Sequence, residues 1–252
     1  MFNVSDTAYD NFMGRYSSRL APLFADFAGI EKGRRVLDVG AGTGALTSEL
    51  VRRGADAAAA DPSPSFVAAL ERRLPDLDVR AAPAEELPWP DESFDAALAQ
   101  LVVTFMNDAP AGIAEMRRVV RAGGVVAVCM WDREGMDLLA AVQRTQRAVP
   151  GGAGPTEART LYRTREETEG LFAGDGFAGV QTELLEVESE YTGYDELWGT
   201  LVDGAGPSGA WSRSLDDEQL AAAREEFRRQ VGDPAGAFSL RGRAWATRAT
   251  RV

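Results

Sequence analysis

Three closely spaced glycines lie between an apolar run and a helical pattern, in the segment Val36-Leu-Asp-Val-Gly-Ala-Gly-Thr-Gly-Ala-Leu-Thr47. Because glycine has no Cβ, the chain at Gly40, Gly42 and Gly44 can turn sharply from a strand into a helix and let a ligand approach its backbone. In open α/β sheets, ligands bind at the carboxyl ends of the strands. This segment therefore predicts a parallel sheet covered by helices, with a ligand site at its first turn.

The rest of the chain continues to alternate between short apolar runs and helical patterns, which is typical of βαβ units. We expect an α/β fold with a doubly wound, mostly parallel sheet of seven strands. The strands are predicted at residues 35–39, 55–60, 77–81, 94–102, 125–131, 180–191 and 241–252. Helices are predicted at residues 44–53, 62–74, 109–120, 136–149, 164–173, 194–203 and 215–231, with a flexible loop at 150–155 and a Gly/Pro-rich turn at 204–207.

Histidine is absent from the 252 residues, and Cys129 is the only cysteine. The sequence therefore excludes histidine metal sites, Ser–His and Cys–His nucleophile pairs and an imidazole base, and we expect no metal site. A single cysteine cannot form an intrachain disulfide, which favours a reducing, cytoplasmic location. We expect Cys129 to be a small buried residue of the fifth strand and not a nucleophile.

The net charge of −12 makes nucleic acid and anionic membranes poor partners. The longest uncharged apolar-rich run, residues 96–106, is too short to cross a bilayer, and the first residues lack the pattern of a signal peptide. We expect a small-molecule substrate and either a monomer or a homodimer.

Two carboxylates narrow the choice of ligand. Asp38 precedes the first glycine by two residues, where it would repel the phosphates of a dinucleotide and disfavours an NAD-dependent enzyme. It suits a ligand with a positive group and no phosphate, such as S-adenosyl-L-methionine (SAM). Asp61 ends the second strand, where a carboxylate can accept hydrogen bonds from both ribose hydroxyls. The alternative for Asp61 is a helix N-cap before Pro62.

With these residues, the segment from Val36 to Thr47 resembles motif I of the class I SAM-dependent methyltransferases. Three further segments match the family in the expected order. They are Tyr9 to Arg15, which resembles the N-terminal lid helix of the small-molecule branch, Ala84 to Asp95 between the third and fourth strands, and Glu115 to Gly124 before the fifth strand. The specific resemblance covers about residues 9–132.

The resemblance implies a Rossmann-like methyltransferase fold in a single domain. Within it, residues 1–30 form lid helices, 31–132 form the SAM-binding core, and 133–252 form a C-terminal half with a helical insert at about 192–235. The cofactor would be SAM, with S-adenosyl-L-homocysteine as the product. The implied cofactor-binding residues are Tyr9, Arg15, Asp38, Gly40, Gly42, Gly44, Asp61, Pro62, Ala84, Glu85, Gln100 and Leu101, with Arg15 paired to the SAM carboxylate.

The chain departs from the family pattern at three positions. Pro83 stands where relatives often place an aspartate that binds the adenine amino group, so adenine recognition would depend on backbone groups and Glu85. Thr104 stands where many relatives have a histidine, which removes a histidine-assisted mechanism. Ala122 replaces a proline in the turn before the fifth strand, a change with structural consequences only.

The catalytic residues cannot be assigned from the sequence. Asp108, Asp132 and Thr104 follow strands four and five and are the weak candidates, although loop or cap roles are favoured for both aspartates. Several large side chains at the carboxyl ends of the strands or in the helical insert could contact a planar methyl acceptor, and packing in the protein core is the alternative. They are Phe105, Met106, Trp131, Trp198 and Trp211.

The predicted function is biosynthetic transfer of a methyl group from SAM to an O, N or C nucleophile of a small molecule, with a natural product or other secondary metabolite favoured. Positioning supplies much of the rate in such reactions, so a general base is not always required. Two alternatives stay open. One is an enzyme of this fold that uses SAM for a rearrangement or decarboxylation, and the other is a non-catalytic SAM-binding protein.

Overall fold

The computed structural model describes residues 10–149, 161–203 and 206–252. Tyr9 and the predicted loop at 150–155 lie outside these residues. The described chain divides into two compact units. The larger unit contains residues 17–132, 161–185 and 244–252, and the smaller unit contains residues 10–16, 133–149, 186–203 and 206–243.

The first half of the chain alternates strands and helices as predicted. After a π-helical turn at Asp10–Gly14, the elements are α1 (Arg15–Phe27), β1 (Arg35–Val39), α2 (Ala45–Arg52), β2 (Asp56–Asp61), α3 (Pro64–Arg73), β3 (Asp78–Ala81), β4 (Phe94–Gln100), a 3₁₀ turn (Val103–Phe105) and α4 (Ala109–Val119). Pro64 at the start of α3 fits the preference of proline for the first helical turn.

The second half contains three longer strands and five helices among the described residues. In order they are β5 (Val120–Met136), α5 (Asp137–Ala148), α6 (Arg165–Gly170), β6 (Phe177–Tyr191), α7 (Tyr194–Val202), α8 (Gly206–Arg213), α9 (Asp217–Gln230) and β7 (Phe238–Arg251). The first part of β5, the first part of β6 and the end of β7 belong to the larger unit, and the rest of these three strands belongs to the smaller unit.

The strands form one seven-stranded sheet in the order β3-β2-β1-β4-β5-β7-β6. The pairs β1–β2, β1–β4, β2–β3 and β4–β5 are parallel. Contacts between β6 and β7 show that these two strands run antiparallel, because Gln181 contacts Arg248 while Thr182 contacts Thr247. The predicted doubly wound, mostly parallel α/β sheet is thus confirmed.

Burial explains why the central strands are so apolar. Val36, Leu37 and Val39 of β1 are fully buried, and so are Ala97 and Leu98 of β4. Parallel strands covered by helices on both faces need such continuous apolar runs. Four successive residues of β4, 96–99, are buried, so both faces of this strand are covered.

Two parts of the sequence interpretation need correction. Helix α8 occupies Gly206–Arg213, where the sequence predicted only a turn followed by residues without assigned structure. Trp211 of this helix is buried against Val149 and Ala223. This packing overrides the weak helical propensity of the segment. Strand β5 begins at Val120 and not at residue 125. Val120 already pairs with Phe94, and a register shift then accommodates the glycine turn.

Candidate functional site

The glycine turn lies at the carboxyl end of β1, as predicted. Gly40, Gly42 and Gly44 all have left-handed backbone angles, with φ of 72°, 55° and 90°. A Cβ at Gly40 would lie 2.3 Å from the Val102 side chain, and one at Gly44 would lie 2.4 Å from Leu70. A Cβ at Gly42 meets no described atom within 4 Å. Gly40 and Gly44 are therefore required by packing, whereas Gly42 borders open space.

Asp38 is buried beneath this turn, with only 1% of its surface exposed. Its carboxylate accepts a hydrogen bond from Thr47 Oγ1 at 2.6 Å. The pKa of Asp38 is raised to about 7, mainly because of burial; the Thr47 bond partly offsets this rise, and the nearby Asp61 carboxylate adds to it. A cationic group bound next to Asp38 would compensate the buried charge.

Asp61 ends β2 and supports the glycine turn directly. One carboxylate oxygen accepts from the Gly42 N–H at 2.9 Å, and the other accepts from the Ser63 N–H at 2.8 Å. Burial raises its pKa, and these two backbone bonds oppose the shift. The N-cap residue of α3 is Ser63, so the alternative prediction that Asp61 is the N-cap of this helix is wrong. Each oxygen of Asp61 retains a further acceptor position.

Gln100 ends β4 and Leu101 follows it, and strand pairing places them level with the glycine turn. Asp38 pairs with Leu98, so Gln100 stands beside Gly40. Gln100 donates from Nε2 to the Ser17 carbonyl at 3.1 Å, while its Oε1 is buried without a hydrogen-bond partner among the described residues. Leu101 has a φ of 62°, a strained angle for a residue with a side chain. Unmet acceptors and strain of this kind are typical of ligand sites.

Glu85 has a role that the sequence did not indicate. Its Oε1 accepts hydrogen bonds from the backbone N–H groups of Asn107 at 2.6 Å and Asp108 at 3.0 Å. The carboxylate thereby ties the turn after β3, where Ala84 is buried, to the loop before α4. The signal available in the sequence was only a glutamate in a loop, which does not specify a backbone partner.

The weak catalytic candidates are engaged in local structure. Asp108 caps α4 by accepting from the Ala111 N–H at 3.0 Å, which is the cap role favoured from the sequence. Asp132 accepts from the indole N–H of Trp245 at 3.0 Å. Thr104 lies in the 3₁₀ turn after β4 and is half-buried. Their catalytic assignment stays a prediction.

The aromatic candidates divide into packed and exposed residues. Trp131 is 6% exposed, whereas Phe105 is 44% exposed. Trp211 belongs to a buried cluster of the smaller unit, and Trp198 packs against that cluster. Cys129 is fully buried in β5, and burial raises the pKa of its thiol, which agrees with a packing role.

Most of the predicted cofactor residues thus lie at the carboxyl ends of the parallel strands in the larger unit. They are Asp38, Gly40, Gly42, Gly44, Asp61, the exposed Pro62, Ala84, Glu85, Gln100 and Leu101. Arg15 belongs to the smaller unit, where Nη2 forms an ion pair of 2.6 Å with Glu196. Tyr9 lies outside the described residues.

The described residues fit the charge pattern of the methionine end and the ribose of SAM. Two carboxylates, Asp38 and Asp61, and one buried carbonyl oxygen, Gln100 Oε1, can accept from an ammonium group and from ribose hydroxyls. No group of three or more histidine, cysteine, aspartate or glutamate side chains among the described residues could hold a metal ion. No helix in the described part of the chain is long and apolar enough to span a membrane.

Comparison with known proteins supports the same family. Residues 37–128 match the family model described as "Methyltransferase domain". An uncharacterized protein of Mycobacterium tuberculosis, Rv1405c, is 32% identical over 177 residues, which are 67% of this chain and 63% of that protein. A demethylmenaquinone methyltransferase of Beutenbergia cavernae is 42% identical over 103 residues, 41% of this chain and 43% of that enzyme. The chain therefore spans less than two thirds of the length of these curated relatives.

The fold also agrees with a solved structure. A protein of Anaeromyxobacter dehalogenans, described as a candidate type II methyltransferase, superposes with a TM-score of 0.63 over 92% of this chain and 95% of its own. At 23% identity this likeness shows the fold alone.

Proposed function

We propose that this chain, which carries a methyltransferase domain of the class I family at residues 37–128, is a SAM-dependent methyltransferase acting on a small molecule. The larger unit would bind the cofactor at the carboxyl ends of β1, β2 and β4. The observation that carries the proposal is the set of buried acceptors around the open space at Gly42. Asp38 and Asp61 are buried carboxylates there, and Gln100 Oε1 is buried without a partner among the described residues.

Each side chain has a definite part in this proposal. Asp38 and Gln100 Oε1 would accept from the ammonium group of the methionine end, and Asp61 would accept from the ribose hydroxyls. Gly40 and Gly44 shape the turn, and Gly42 lets the ligand reach the backbone. Bound SAM would supply an electrophilic methyl group, and the chain would align the acceptor and exclude water.

The acceptor atom can be oxygen, nitrogen or carbon, and we favour a natural product or other secondary metabolite. The described aspartates near the strand ends have structural partners, so alignment and not a dedicated base would supply most of the rate. Well-oriented reactions gain roughly 7–11 kcal/mol from positioning alone. We further propose a cytoplasmic enzyme, monomeric or homodimeric, without nucleic acid or membrane partners.

The test is incubation of the purified chain with methyl-labelled SAM and small-molecule extracts. The proposal expects label to move into a low-mass product that is released with S-adenosyl-L-homocysteine. Asp61→Asn should slow this transfer at low SAM, with Asp56→Asn on the same strand as the matched control because Asp56 is exposed. Binding of SAM without any label transfer would instead favour a rearrangement, a decarboxylation or a non-catalytic role.

A further inference from the structure

Helix α2 begins without a capping side chain of its own. Its N-cap residue is Gly44, which has a left-handed backbone and no side chain that could accept a hydrogen bond. The first N–H groups of a helix have no acceptor within the helix and need one elsewhere. The Asp38 carboxylate is such an acceptor, because it receives the backbone N–H of Thr47, the third residue of α2. An acid of β1 therefore caps the helix that follows the glycine turn.

The side chain of Thr47 binds the same carboxylate. Its Oγ1 donates to Asp38 Oδ2 at 2.6 Å, a length typical of a hydroxyl that donates to an ionised carboxylate. Thr47 is 0% exposed and Asp38 is 1% exposed, so bulk water cannot replace this bond. The Thr47 hydroxyl therefore fixes the position of Oδ2 and favours the ionised form of Asp38.

Burial and the charges near Asp38 oppose its ionisation. Burial has the largest effect, and the Asp61 carboxylate at the end of β2 acts in the same direction. The thiol of Cys129 on β5 also interacts electrostatically with Asp38, but burial raises the pKa of this thiol, which is therefore neutral near pH 7. The two bonds from Thr47 act against burial and Asp61. Without the Thr47 hydroxyl, Asp38 would take up a proton at a higher pH.

We propose that Thr47 is a positioning residue of the cofactor site, whose hydroxyl holds the Asp38 carboxylate ionised and oriented to receive the ammonium group of SAM. This assignment rests on the proposed function and defines the pH range in which the site binds its cofactor. Because Thr47 is fully buried, it acts through Asp38 and not by touching the ligand.

The experiment measures the affinity for S-adenosyl-L-homocysteine by calorimetry as a function of pH. It compares the wild-type chain with Thr47→Val, which has nearly the same shape and no hydroxyl. Affinity is lost as pH falls through the pKa of Asp38, which is about 7 in the wild-type chain. Losing a bond that favours the ionised form raises this pKa, and we expect the pH of half-maximal affinity to rise by about one unit. Thr47→Val should then bind about fivefold more weakly at about pH 7 and within about twofold of the wild type at about pH 8.5.

Two further variants separate this role from a simple loss of stability. Thr47→Ser keeps the hydroxyl and should restore the wild-type pH dependence. Thr145→Val is the matched control, because Thr145 is also fully buried and its hydroxyl donates to the Ala141 carbonyl of its own helix at 2.9 Å. This control should lower the thermal midpoint and leave the pH dependence of S-adenosyl-L-homocysteine binding unchanged.

A second ligand tests whether the effect depends on the ammonium group. The probe is 5′-methylthioadenosine, which has the adenine, the ribose and the sulfur of the cofactor but no ammonium group. Its affinity does not require an ionised Asp38, so Thr47→Val should leave it nearly unchanged.

Several results would overturn the inference alone. They are an unchanged pH dependence in Thr47→Val, a Thr47→Ser variant that behaves like Thr47→Val, or equal weakening of both ligands, which would show that the substitution distorts the glycine turn. A wild-type chain that binds no S-adenosyl-L-homocysteine at any pH is a different outcome, because it would overturn the proposed function and this role of Thr47 with it.

Discussion

Replacing Asp61 by asparagine should weaken both cofactor binding and folding, and the two losses can be measured separately. The carboxylate of Asp61 receives the N–H groups of Gly42 and Ser63, and under the proposal it also receives two ribose hydroxyls. Asparagine offers one acceptor oxygen and an NH₂ group that cannot accept. Hydrogen bonds to a charged acceptor are worth about 1.5–3 kcal/mol each, so losing the one that the NH₂ group cannot accept costs about 1.5–3 kcal/mol of binding.

At 1.4 kcal/mol per tenfold change, this loss weakens affinity for S-adenosyl-L-homocysteine roughly tenfold to a hundredfold. The rate at saturating SAM should fall much less, because ribose contacts are similar in the ground and transition states. Folding in the absence of ligand should also suffer, by about 1–3 kcal/mol, because the asparagine NH₂ group places a donor against the N–H group of Gly42 or Ser63.

Calorimetry and thermal unfolding on the same protein provide the assay, and Asp56→Asn is the control. Asp56 begins the same strand and is exposed, and its side chain forms a long ion pair of 3.7 Å with Arg35. A lowered thermal midpoint with unchanged affinity for S-adenosyl-L-homocysteine would refute the ribose assignment. It would show that Asp61 serves only to hold the glycine turn.

Three further predictions concern the same site. Gly42→Val should abolish S-adenosyl-L-homocysteine binding and should lower stability by about 1–2 kcal/mol, because the backbone angle of Gly42 is left-handed. The control is Gly33→Val, because Gly33 also has a left-handed angle and no described atom within 4 Å of an added Cβ. This control should lose the same stability and bind S-adenosyl-L-homocysteine normally. Asp38 has a raised pKa of about 7, and a bound ammonium group favours its ionised form, so affinity for S-adenosyl-L-homocysteine should fall as pH falls. This affinity should be about tenfold weaker at about pH 6 than at about pH 8. In Asp38→Asn the affinity should not depend on pH. Glu85→Ala should lower stability by about 1 kcal/mol in thermal unfolding, and the exposed Glu86→Ala should not. A wild-type affinity for S-adenosyl-L-homocysteine that does not change with pH would contradict the role given to Asp38. Equal effects of a variant and its control would contradict the role given to Gly42 or to Glu85.

Much of the larger unit follows from local signals in the sequence. The glycine turn, the apolar runs of β1 and β4 and the βαβ spacing each depend on neighbouring residues, and the structure has these elements where they were predicted. The hydrophobic period of a strand or helix is visible in the sequence because it spans few residues.

The parts that escaped prediction depend on contacts between distant residues. Helix α8 forms because Trp211 packs against Val149 and Ala223, which no local pattern around Gly206 reveals. The bonds of Glu85 to Asn107 and Asp108 join residues more than twenty positions apart.

Use of SAM as the cofactor is tested most directly by two calorimetric titrations of the full chain, one with S-adenosyl-L-homocysteine and one with NAD. We expect micromolar-range binding of S-adenosyl-L-homocysteine and no binding of NAD, because the buried Asp38 carboxylate suits an ammonium group and repels phosphates. Binding of NAD without binding of S-adenosyl-L-homocysteine would refute SAM as the cofactor.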